Sequence, residues 1–85
     1  MPSRIAELVR TAPDWSTVDL RSPDVEAWLA RAYRVLWDID PIEASVLKVH
    51  AQYLHEDSRR HSAEIAETLR RVARKMAHRS TPEML

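Results

Sequence analysis

Eighty-five residues with 13 basic and 13 acidic side chains, no Gly and no Cys leave room for one domain around one core. Without Cys there is no disulfide or thiolate metal site to brace the fold. Without Gly the chain lacks the residue on which phosphate-cradling loops, dinucleotide fingerprints and nucleophile elbows draw, which sets aside most nucleotide-handling enzymes.

No run approaches the roughly 18 apolar residues of a membrane span, and the opening MPSRIAELVR lacks a signal-peptide core. The expectation is a cytoplasmic protein with no membrane partner. Arg outnumbers Lys 11 to 2, a bias expected of a GC-rich bacterial genome.

In chain order, Ser3 is expected to cap a short helix over 3–12, in which Ile5, Leu8, Val9 and Ala12 recur at i, i+3, i+4 and i+7 before Pro13 stops it. Residues 13–21 read as a connection with one helical turn after Asp14, and Trp15 as the anchor that pins it to an end of the bundle.

Ser22, Pro23, Asp24 and Glu26 then specify a helix start: a capping hydroxyl, a ring that needs no N–H partner, and carboxylates at the positive helix end. This second helix is expected over 23–39. From Val25 onward Leu36, Leu29, Ile39, Trp28, Val35, Tyr33 and Trp37 spread over roughly 200°, whereas a surface helix needs a stripe of about 100°. Trp28 and Trp37 lie nine residues apart, hence on opposite sides of the helix. Both cannot enter one small interior, so one side is expected to meet another chain or domain. The contact surface is placed on Trp28, Tyr33, Val35 and Trp37.

Asp40-Pro41-Ile42-Glu43 repeats the start signal, with Glu43 placed to reach back to the cap, and a third helix is expected over 41–56. Ile42, Val46, Val49 and Tyr53 align along one face, with Leu47 and Leu54 beside them. His55 to Ser62 then contain no apolar side chain. Continuing the third helix would set its main stripe about 80 to 90° from that of Ile65, Leu69, Val72 and Met76. A break near Asp57 is therefore expected, with Ser58 capping a fourth helix over 59–79. Because the break lacks Gly and Pro, a continuous or bent helix from Pro41 to Arg79, favouring an intertwined dimer, is the alternative.

The fourth helix carries a narrow seam, Ile65, Leu69, Val72 and Met76, flanked by Ala63, Ala66, Ala73 and Ala77. Two heptads are too few to define a coiled coil, but Leu69, Val72 and Met76 form a competing contact site. Residues 80–85 are expected to fray. The fold class is all-α: residues 1–79 as one small four-helix bundle with a short first helix, expected to dimerise.

Charge is uneven: residues 1–58 sum to minus four and residues 59–79 to plus five. Either the two parts attract each other, or the basic helix meets an acidic partner. Arg70, Arg71, Arg74 and Lys75 form a ridge of about 140° that could contact phosphates, although no aromatic residue interleaves with them.

His50 and His55, at i and i+5, stand some 140° apart, so no metal is expected. His50 projects between Val46 and Leu54, where protonation could drive a pH-dependent assembly. Ser, Thr and the carboxylates sit mainly at caps and first turns, leaving no nucleophile with a base, so no catalytic residue, cofactor or small-molecule substrate is expected. The segment WLARAYRVL and the Arg-rich last helix resemble, in a general way, bacterial helical adaptor or regulatory proteins, without transferring a role to any residue. The reading is a non-catalytic protein–protein interaction or adaptor module that self-associates as a homodimer. The alternative is a small nucleic-acid-binding accessory protein using the basic last helix.

Overall fold

Three side-chain oxygens punctuate the chain by satisfying backbone donors that a helix start leaves unpaired. Ser22 Oγ accepts the Val25 N–H at 3.2 Å. Asp40 Oδ1 accepts those of Ile42 and Glu43 at 3.2 and 3.4 Å. Asp57 Oδ1 accepts that of Arg60 at 3.2 Å. In the computed structural model, which describes residues 4–80 and side chains through residue 77, these caps delimit helices α1 (Arg4–Arg10), α2 (Pro23–Ile39), α3 (Pro41–Gln52) and α4 (Ser58–Ser80). The described residues are all-helical, with no strand. Ser3 and residues 81–85, which carry the expected first cap and most of the expected tail, lie outside them.

Several boundaries differ from those expected. The first helix ends at Arg10 rather than residue 12, because the residue before a proline is driven out of the helical region. Its last turn tightens, with the Ala12 N–H reaching Val9 O at 3.4 Å, and the Thr11 hydroxyl donates to Glu7 O at 2.8 Å. The third helix ends at Gln52, four residues early, and residues 53–56 form a turn. The cap of α4 is Asp57, not Ser58, since a carboxylate three residues before the Arg60 amide is the acceptor within reach. The break itself falls where the two stripes lose register, and the continuous helix from Pro41 to Arg79 is not formed.

The main helix packing runs in a ring: α2 packs on α3, α3 on α4, α4 on α1, and α1 back on α2. The interior is filled by Ile5 and Leu8 from α1, Trp28, Ala32, Val35 and Leu36 from α2, Ala44 and Leu47 from α3, Leu54 from the turn, and Ile65, Leu69 and Val72 from α4. A fully buried aliphatic or indole side chain stabilises by about 1.5 to 3 kcal/mol at most, so these side chains define the fold. The turn between α1 and α2 is tied down as expected. Trp15 meets Trp28 edge to face at 5.8 Å, and the Trp28 Nε1–H donates to Leu8 O at 3.3 Å, so the deepest indole leaves no polar atom unpaired.

The face that α3 turns inward is a finding. The aligned row Ile42, Val46, Val49 and Tyr53 is not buried; Glu43, Ala44 and Leu47 are, followed by Leu54. Polar ties to α4 fix this rotation. Glu43 does not reach back to its cap but accepts from Arg71 Nε at 2.6 Å and Arg71 Nη2 at 2.9 Å. Asp40 Oδ2 accepts from Lys75 Nζ at 3.0 Å.

Candidate functional site

With α3 rotated in this way, its outer surface presents Ile42, Val49 and Tyr53, which are 77%, 50% and 48% exposed. Val46 lies between them and is half-buried. At 100° per residue the four side chains fall within about 60° of one another, so they form a continuous apolar row along the helix. Ser45 and Gln52 border the row on the side away from α4, and both are exposed and uncharged.

The second exposed apolar site is on α2. Trp37 is 51% exposed while Trp28 is 3% exposed, so the two indoles divide as their opposite projection requires. Trp37 lies against half-buried Tyr33 with ring centroids 6.0 Å apart, and Lys48 Nζ sits 5.5 Å from the Tyr33 ring centre, within reach of a cation–π attraction. Ala30, Tyr33, Arg34 and Trp37 line a shallow hollow here.

Of the residues expected at the contact surface, four lie in the interior. Trp28, Val35, Leu69 and Val72 are buried in the one core cluster. They are core because the ring of four helices already covers them, and a side chain so covered offers nothing to a partner. Met76 packs partly buried against the same core. Trp37 and part of Tyr33 keep their place on the surface. The row on α3 was visible as an alignment but not as a surface, since periodicity shows that residues share a face and not which way the face points.

All four cations of the basic ridge on α4 pair with carboxylates of the chain. Arg71 holds buried Glu43, Lys75 holds Asp40 and lies 3.7 Å from Glu43, and Arg70 and Arg74 both bond Glu67 at 3.2 Å. The hydrogen bond from Arg71 holds the Glu43 carboxyl below the usual range, and that from Lys75 does the same for Asp40. The hydrogen bonds from Arg74 and Arg70 lower Glu67 likewise. The charge asymmetry of the sequence thus becomes attraction between the α2–α3 corner and α4.

Among the described residues, no group of three or more His, Cys, Asp or Glu side chains comes together in a way that could hold a metal ion. No helix among them is long and apolar enough to cross a membrane. Compared with protein-family models, with curated proteins and with solved structures, the chain has no significant match.

Proposed function

We propose that the protein is a non-catalytic helical interaction module that pairs with a second copy of itself through the outer face of α3. One observation carries this reading: the row of Ile42, Val49 and Tyr53, each about half exposed or more. Isolated exposed apolar residues are ordinary, but a contiguous row marks a contact surface.

A second copy suits the row for an electrostatic reason. At a twofold axis every side chain on the axis meets its own copy, so a charged border would face like charge. Ser45 and Gln52 impose no such repulsion. The exposed aromatic on α2, by contrast, is bordered by Arg34, which would face its own copy. A row of four side chains is smaller than the ~800 Å² each partner contributes to a standard interface, so the expected pairing is weak and concentration-dependent.

Light scattering over a concentration series tests this. Mass is expected to rise from monomer toward dimer with concentration, and Ile42→Asp with Val49→Asp is expected to abolish the rise while leaving the helical spectrum intact. A strict monomer at the highest concentration would refute self-association. A dimer indifferent to both substitutions would move the contact elsewhere, with Trp37 as the next position. Nucleic-acid binding by the α4 ridge is not favoured, since Arg70, Arg71, Arg74 and Lys75 are each engaged by carboxylates of the same chain.

A further inference from the structure

The turn between α3 and α4 brings two histidines eleven residues apart into direct contact. The Nδ1 atoms of His50 and His61 lie 2.9 Å from each other, and the ring centroids are 5.2 Å apart. Two imidazole nitrogens at hydrogen-bonding distance require one N–H and one lone pair, because two N–H groups would press hydrogen against hydrogen. The neutral pair satisfies this requirement with the appropriate tautomers. With one added proton, the Nδ1–H of the cationic ring donates to Nδ1 of its neutral neighbour. With two added protons both Nδ1 atoms are donors, both rings are cations, and the contact cannot stand.

The surroundings admit one positive charge. From α4, Glu64 Oε2 lies 3.9 Å from His50 Nε2. Tyr53, at the end of α3, lies against the His61 ring at 6.3 Å. In the turn, the Asp57 carboxylate is committed to the Arg60 amide and its carbonyl accepts the His61 N–H at 3.0 Å. Among the described residues, α1 and α2 bring no ion pair or hydrogen bond to either imidazole. Glu64 is the carboxylate paired with His50, and no ion pair to His61 is formed among the described residues.

We infer that His50 and His61 form a proton-gated latch between α3 and α4, closed when the pair carries no added proton or one, and opened by the second. The latch does not depend on self-association. It lies beside the turn between α3 and α4, so its release loosens that end of the helix pair next to Tyr53, while Arg71 and Lys75 still hold the other end to Glu43 and Asp40.

The test is a set of urea unfolding curves between pH 7.5 and 5.0, a range kept above the titration of ordinary carboxylates. A latch that excludes the second proton leaves the native chain with one proton fewer than the unfolded chain once both imidazoles of the latter are charged. Stability then falls as pH falls, by up to tenfold in the folding constant per pH unit for the proton refused. His61→Gln is expected to lose this excess fall, and His55→Gln, in the exposed turn, to keep it. Parallel curves for the natural chain and His61→Gln would overturn the latch. Should His61→Gln not fold, imidazole ¹⁵N spectra of the natural chain at pH 5 decide. Refusal of the second proton, or its uptake together with loss of the native α3–α4 signals, supports the latch. Two doubly protonated rings in an unchanged native spectrum refute it.

Discussion

Replacing Arg71 by Met removes both hydrogen bonds, at 2.6 and 2.9 Å, from a carboxylate whose side chain is only 8% exposed. Breaking a fully buried ion pair by removing one partner costs about 3 to 5 kcal/mol, because the remaining charge is left in low dielectric. Two features of the structure reduce that figure. The Arg71 side chain is 38% exposed, and Lys75 Nζ stays 3.7 Å from Glu43, so solvent and a second cation both compensate. We expect a loss of about 2 to 3 kcal/mol. Glu43→Gln should cost less, about 1 kcal/mol, because an amide still accepts from the guanidinium and Arg71 can turn toward water. The double replacement Glu43→Leu with Arg71→Met should come out close to neutral, since no charge is then left stranded. Urea unfolding of the natural chain, Arg71→Met, Glu43→Leu and the double replacement forms a double-mutant cycle that isolates the pair. If Arg71→Met cost under about 0.5 kcal/mol, the range of an exposed pair, Glu43 would not fix the rotation of α3 and the outward placing of Ile42 and Val49 would lose its explanation.

Further outcomes follow from the same geometry. Arg71 holds the Glu43 carboxyl below its ordinary range, so the pair contributes stability above the unfolded carboxylate value of about 4.3, lost as pH falls through the lower folded value; Glu43→Gln should flatten the acid limb of a stability–pH curve. Trp28→Ala, at a buried indole, should cost about 3 to 5 kcal/mol in thermal or urea unfolding. Trp37→Ala should leave stability within about 0.5 kcal/mol, and it weakens association, by about 2 kcal/mol, only if α2 rather than α3 forms the contact. Asp57→Ala should cost about 1 kcal/mol as a lost cap, whereas Ser58→Ala should be nearly silent, a contrast that unfolding midpoints read directly.

The sequence by itself determined what is decided within about four residues. The caps at Ser22 and Asp40 and the stop before Pro13 follow from backbone donors and acceptors that find partners nearby, and a break near Asp57 follows from the offset of two apolar stripes; such rules are legible in a string of letters. The opposite projection of Trp28 and Trp37 is helix geometry and was equally legible. What only the tertiary structure decided is rotation. On α3 two rows competed for the interior, Ile42 with Val49 and Tyr53 against Glu43 with Ala44 and Leu47, and the larger apolar row lost. Arg71 and Lys75, some 28 and 35 residues away in sequence from their partners, hold Glu43 and Asp40 and set the angle. The same long-range pairing made Arg71 and Lys75 counter-ions of Glu43 and Asp40, while Arg70 and Arg74 pair with Glu67 on their own helix, and it brought His50 to His61. Local periodicity fixes which side chains share a face, but where that face points depends on partners a helical repeat cannot name.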